Sequence, residues 1–324
     1  MSGPPRIRLL ATGGTIAFRT DEGGATPQAA GAELLGTTGV TGLAVDVVDV
    51  ASVSSIALRD QDLVALAAEV RASAGLGYDG VVVAHGTDTL EETAYFLALT
   101  CPSPGVPVVL TGAMRHDGSP GADGPANLRD ALLAAAEPVL AAVGPVVVWD
   151  GEIHAARFVA KTHGTRAAAF ASLLAGPVGC VVEQAVELWL APTYRDALGA
   201  LESAPLPRVE LLPMTIGTGP EHGRAVLRTS PAGVVIDGFG AGHVAPAALD
   251  VVDAAVDAGV PVVVASRCGA GPTLAETYGV PGTEIDLRRR GALMAGALAA
   301  RKARLRLAVA LALGLRPEEA FPQR

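Results

Sequence analysis

Two turns carry the hydroxyl and carboxyl groups of this chain that are best spaced for chemistry. His85-Gly86-Thr87-Asp88 follows the apolar run Val81-Val82-Val83-Ala84 and precedes Ala94-Tyr95-Phe96-Leu97-Ala98-Leu99, which continues as a helix. Thr12-Gly13-Gly14-Thr15 follows a second apolar run, Ile7-Arg8-Leu9-Leu10-Ala11. Each turn delivers a threonine hydroxyl from the end of a strand, and its glycines let the main chain come close to a ligand. A hydroxyl is a weak nucleophile until a base stands within hydrogen-bond reach, so these turns would need to meet near a proton carrier. Thr89 and Glu92 have capping-box spacing, which gives the Thr89 hydroxyl a task at the helix N-terminus and leaves Thr87 and Asp88 over.

The elements that must position these turns are visible as apolar runs. Short runs without polar alternation, bounded by turn signals, read as strands buried on both faces of a parallel sheet. In such a sheet ligands bind in the crevice beyond the carboxyl ends of the strands, where helix N-termini favour anions. Residues 45–50 alternate as a strand and lead through Ser52-Val53-Ser54-Ser55 to a helix over residues 59–76, a third strand end offering hydroxyls, although serines before a helix more often serve as an N-cap than as a binding site. Residues 106–110 form another strand, and a helix starts near Asp123-Gly124-Pro125-Ala126-Asn127. Asp123 and Asn127 are read as braces, since two oxygens without a matching set make a poor metal site. Asp150-Gly151 predicts a two-residue hairpin between residues 146–149 and a run ending at Lys161. Periodicity alone implies a solvated lysine there.

Around residues 191–207 the pattern lapses and Pro192, Pro205 and Pro207 accumulate, the mark of a linker. Beyond it, residues 209–214, 233–237 and 260–265 are strand candidates, with a helix over 245–258 that implies a right-handed parallel crossover. The expected fold is α/β with two doubly wound domains. The larger spans residues 1–190, with a mostly parallel sheet plus a β-hairpin, and the smaller spans 208–324, with a parallel sheet.

At 324 residues and 50% apolar, the chain is long enough for well-filled cores, and 18% charged residues argue against disorder. A net charge of −9 disfavours a nucleic-acid groove, which needs a clustered basic face. Cys101, Cys180 and Cys268 are odd in number and far apart, which indicates neither a disulfide framework nor a zinc cluster. The chain enters its first strand without an apolar signal region and holds no membrane-length run, so a cytoplasmic protein without membrane partners is expected.

TGGTIA beginning at Thr12 and HGTDTLEETAYFL beginning at His85 together resemble the signature segments of the bacterial-type L-asparaginase and glutaminase family. The resemblance implies hydrolysis of L-asparagine to L-aspartate and ammonia, with Thr12 as nucleophile and Thr87, Asp88 and Lys161 as a relay, and with no metal or cofactor. The flanks of Lys161, Val159-Ala160 and Thr162-His163-Gly164-Thr165, are similar to the family's segment carrying a catalytic lysine, and a lysine among apolar neighbours can serve as a base. Both Thr12 and Thr87 could form the acyl-enzyme. The implied substrate-binding set is Ser54, Ser55, Gly86, Thr87, Asp88 and Glu284, the last reaching the α-amino group across a subunit interface. His243 stands where the family often has an asparagine at that interface, so a homodimer or homotetramer is implied.

The loop over residues 19–28 corresponds to the family's lid but lacks its tyrosine: the tyrosines here are Tyr78, Tyr95, Tyr194 and Tyr278. Either Thr26 or a neighbour substitutes, or the lid works differently. A glutaminase, the ammonia-supplying component of a tRNA-dependent amidotransferase, and a non-catalytic amino-acid-binding protein are the alternatives. The absence of a further domain before Arg6 disfavours the amidotransferase component.

Overall fold

The computed structural model describes residues 3–14, 18–21, 24–27, 31–102, 105–191 and 196–323. Thr15 of the first turn, part of the expected lid, Pro192 and Tyr194 lie outside the described residues, as does the side chain of Thr26. The chain divides into two units, Met1–Ala204 and Pro205–Arg324.

The first unit opens with β1 (Arg6–Gly13), then a hairpin of β2 (Phe18–Asp21) and β3 (Gly24–Pro27), α1 (Gly31–Gly36) and β4 (Ala44–Val53). There follow α2 (Asp60–Gly75), β5 (Gly80–Ala84), α3 (Leu90–Thr100), β6 (Val108–Thr111) and α4 (Gly124–Ala135). The remainder is β7 (Val146–Trp149), β8 (Glu152–Ala155), β9 (Ala160–Lys161), β10 (Phe170–Ala171), β11 (Gly179–Val182) and β12 (Ala185–Leu188). Eight of these strands form one sheet in the order β12-β11-β8-β7-β6-β5-β1-β4. The pairs from β4 through β7 are parallel, while β8, β11 and β12 add antiparallel edges. The expected mostly parallel sheet with a hairpin is thus the observed one.

Burial explains why the runs were so uniformly apolar. All five residues of β5 are buried, and Ile7, Leu9 and Val82 share a core with Leu128, Ala131 and Leu132 of α4. Each valine buried there contributes roughly 1.5 kcal/mol or more. Asp150 and Gly151 both take positive φ, 50° and 78°, the requirement of the tight turn expected between β7 and β8.

The order of strands also locates a crevice. The chain leaves β1 for β4 on one side, then crosses back and builds β5, β6 and β7 away on the other. The switch point falls between β1 and β5, and in open α/β sheets the cleft for a ligand lies outside the carboxyl ends of that pair. Thr12 and Thr87 stand there.

Part of the segment expected as a linker is fastened to the first unit. The Asp196 carboxylate accepts from the Tyr95 hydroxyl at 3.1 Å and pairs with Arg157, and the Leu198 amide donates to the Leu99 carbonyl at 2.8 Å. These partners are distant in sequence, so local composition could not reveal them.

The second unit is built on β13 (Val209–Pro213), α5 (Glu221–Leu227), β14 (Gly233–Gly238), α6 (Leu249–Asp257), β15 (Val262–Ser266), α7 (Glu284–Arg289), β16 (Leu293–Met294), α8 (Ala300–Ala312) and α9 (Pro317–Ala320). Its strands lie in chain order and are all parallel, so the smaller parallel sheet expected from the sequence is present. Among the described residues, no helix is long and apolar enough to cross a membrane.

Candidate active site

The carboxyl ends of β1 and β5 meet main chain against main chain. Gly13 and Gly14 take φ values of 96° and 86°, open to glycine at little cost. A Cβ at Gly14 would collide with the nitrogen and Cα of Gly86, and one at Gly86 would lie 2.7 Å from Cβ and Oγ of Ser55. Three turns, after β1, β4 and β5, therefore close on one another with no room for a side chain at Gly14 or Gly86. Thr12, 3% exposed, donates its hydroxyl to the Ala84 carbonyl at 3.0 Å, which fixes it beside the last residue of β5.

The Thr89 hydroxyl does not cap α3. It crosses to the Ser55 carbonyl at 3.0 Å, tying the Thr87-Asp88 turn to the Ser54-Ser55 turn; this corrects the capping-box expectation. Ser55 is buried in a single 3₁₀ turn and Ser54, just before it, makes no side-chain capping bond, so neither serine is spent on a cap.

His85 is buried beneath the same turn. Its Nδ1 lies 2.7 Å from the Gly86 carbonyl oxygen and so carries the proton, and its Nε2 accepts from the Thr93 hydroxyl at 2.9 Å. Burial lowers its pKa from 6.5 to about 4, opposed by the Gly86 hydrogen bond. The ring is therefore neutral near pH 7. Unfolding releases a histidine that titrates near 6.5, so between that pH and about 4 the unfolded chain binds more protons. Stability contributed by the buried neutral ring is complete above pH 6.5 and is lost as pH falls towards 4, by about 3 kcal/mol. Urea midpoints of the wild type and His85→Gln measured across this range check the expectation: the wild type should fall more steeply, and parallel curves would contradict it.

Lys161 arrives from elsewhere. The sequence placed it at the end of the second hairpin strand as a solvated residue, but β8 stops at Ala155. There the amides of Phe158 and Val159 bond back to the Ala155 carbonyl at 3.0 and 3.1 Å and turn the chain away. Lys161 sits instead on β9, which among the described residues pairs with β10 alone, opposite Phe170. The Phe170 ring packs on Trp149 at 4.5 Å between centroids, and the Trp149 indole donates to the Ala167 carbonyl at 2.7 Å. The Lys161 side chain is 15% exposed. Its Nζ donates to Thr87 Oγ1 at 2.8 Å and to Asp88 Oδ1 at 2.6 Å. Asp88 is 59% exposed, which leaves its side chain open to an incoming cation.

Thr87, Asp88 and Lys161 are thus brought together, while Gly86 lies against Gly14 of the Thr12 turn and Ser55 lies against Gly86. Thr12 itself bonds the Ala84 carbonyl rather than Lys161. Such a group of hydroxyls, one Nζ and a carboxylate can move protons during attack on a carbonyl. The sequence reading gave no separate role to Glu91 or His85 and misread Thr89 as a cap; a glutamate opening a largely apolar helix was the available signal for the first.

Glu284 and His243 belong to the second unit. Glu284 begins α7 and is fully buried. Its Oε1 accepts from the amides of Thr277 and Tyr278 at 2.8 and 2.6 Å, and Oε2 lies 3.3 Å from His243 Nε2. Burial opposes ionisation there, but these hydrogen bonds and His243 outweigh it and hold the carboxyl below its ordinary pKa. Asp123 accepts from the Met114 and Arg115 amides at 3.0 and 2.9 Å, and Asn127 bonds the Gly112 carbonyl at 3.0 Å, so both brace the loop after β6. Among the described residues no group of three or more His, Cys, Asp or Glu could hold a metal ion.

The family model described as asparaginase, N-terminal, matches residues 6–194, and that described as glutaminase/asparaginase C-terminal domain matches residues 208–321. The chain is 40% identical over 325 residues to a probable L-asparaginase of Deinococcus radiodurans, covering 97% of this chain and 95% of that protein. It is 32% identical over 321 residues to a probable periplasmic L-asparaginase of Haemophilus influenzae, covering 95% and 88%. It is 30% identical over 308 residues to a glutamyl-tRNA(Gln) amidotransferase component of Methanosarcina barkeri, covering 89% and 70%.

Proposed function

We propose that this chain, which belongs to the asparaginase family, is an amidohydrolase that converts L-asparagine and water to L-aspartate and ammonia. The observation that carries the reading is the Lys161 Nζ held at 2.8 Å from Thr87 and 2.6 Å from Asp88, at the switch point where the Thr12 turn abuts Gly86.

In this reading Thr12 Oγ1 attacks the carboxamide carbon and its proton passes into the Thr87–Lys161 pair. The tetrahedral oxyanion takes hydrogen bonds from main-chain N–H groups of the two turns. Collapse breaks the C–N bond, ammonia leaves with a proton from the relay, and an ester to Thr12 remains. Water hydrolyses that ester with the same groups acting in reverse. Asp88 orients Lys161 and accepts from the substrate ammonium, while Ser54 and Ser55 hold the α-carboxylate.

The contact of Lys161 with Thr87 rather than Thr12 supports a second reading of the chemistry, in which Thr87 is the residue acylated. Peptide mass mapping of enzyme quenched during turnover separates the two: the aspartyl adduct is expected on Thr12. The kinship to an amidotransferase component supports comparing glutamine with asparagine, with and without such a partner. Ammonia release from neither amide would remove the hydrolase reading. We further propose a cytoplasmic homodimer or homotetramer in which Glu284 completes the partner's site; sedimentation and cell fractionation test these points.

A further inference from the structure

We propose that Glu91 is a positioning residue that sets the register of Lys161; the inference rests on the role given to Lys161 above. Glu91 is the second residue of α3 and is only 4% exposed. A carboxylate in the first turn of a helix gains from the helix dipole while remaining in water, as its neighbour Glu92 could. Burial costs free energy and calls for a compensating partner. One such partner is the main chain of Lys161 itself: its N–H donates to Glu91 Oε2 at 2.6 Å, a charge-assisted bond.

The need for such a bond follows from the fold. β9 and β10 pair through two residues each and lie outside the eight-stranded sheet, and a lone two-stranded pair has little stability of its own. Register along β9 must be imposed by something else. Trp149 secures the far strand through Phe170 and Ala167, and Glu91 secures Lys161. Glu91 also lies three positions after Asp88, so one rigid turn and helix present Thr87 and Asp88 to Nζ and grip the backbone from which Nζ extends. A slip of about 1 Å between these ends would cost on the order of 100-fold in rate.

Three variants and one label test this. Glu91→Leu removes the acceptor and should lower kcat by about 10- to 100-fold with a much smaller change in KM, whereas Glu91→Gln, which keeps an acceptor oxygen, should recover most of the loss. In a Lys161→Met background, Glu91→Leu should cost nothing further, because its effect passes through Lys161. The lysines of the chain are Lys161 and Lys302, so a selectively [15N]lysine-labelled protein gives one amide signal to watch beside one reference. The Lys161 amide proton should move upfield in Glu91→Leu and less so in Glu91→Gln, while Lys302 stays.

A full multiplicative loss in the Lys161→Met background, or an unmoved Lys161 amide, overturns the proposal. Should Glu91→Leu fail to fold, the Gln variant and its double mutant decide by the same criteria. If wild type hydrolyses neither amide, the functional reading fails, and the amide signal alone still decides whether Glu91 grips Lys161.

Discussion

Thr12→Ala is expected to lower ammonia release from L-asparagine by about 10⁴-fold or more, since in the mechanism proposed above it deletes the atom that would form the covalent bond. The substitution removes little else. The Thr12 hydroxyl donates to the Ala84 carbonyl inside a buried turn, and losing one such neutral hydrogen bond costs about 1–3 kcal/mol. The variant should therefore fold, show the far-ultraviolet spectrum of the wild type and yet fail to turn over. Thr12→Ser, which restores a hydroxyl without the methyl group, should return part of the rate. Turnover by Thr12→Ala within tenfold of wild type would assign the nucleophile elsewhere, and Thr87 would be next in line.

Lys161→Met carries the second large effect, a fall in kcat of roughly 10²- to 10⁴-fold, the range for removing a positioned proton carrier. Methionine keeps much of the stem and discards the donor to Thr87 and Asp88. Because Asp88 is largely exposed, the lost ion pair should cost within about 1 kcal/mol of stability. Activity and melting temperature should separate: the first collapses, the second hardly moves. A variant that loses both in step would make Lys161 a structural residue, and one that loses neither would remove it from the mechanism.

How much of this was legible in the sequence depended on whether the relevant neighbours were local. β5 and α2 came within a residue or so of their observed ends, because a strand buried on both faces and a helix bounded by turn residues announce themselves in the run itself. The Asp150-Gly151 turn was readable for the same reason, since positive φ at two successive positions restricts residue choice. Misreadings arose where a side chain had a distant partner. Thr89 has the spacing of a cap yet bonds Ser55, 34 residues away. Lys161 looked like a strand end on water, but its surroundings are Thr87, Asp88 and Glu91, 70 or more positions off in sequence. The burial of Glu284 was not legible, because its enclosing amides, those of Thr277 and Tyr278, carry no side-chain signal. Its place in the binding set came from family likeness alone.

The contact of Gly14 with Gly86 has a bearing on evolvability. A Cβ at Gly14 would collide with the main chain of Gly86, so substituting either glycine is a poor route to reshaping the base of the cleft. Discrimination between homologous amides differing by one methylene, worth only about 1–3 kcal/mol in a pocket, must be tuned from the rim. A library selected for a longer substrate should accumulate its changes there and return both glycines intact.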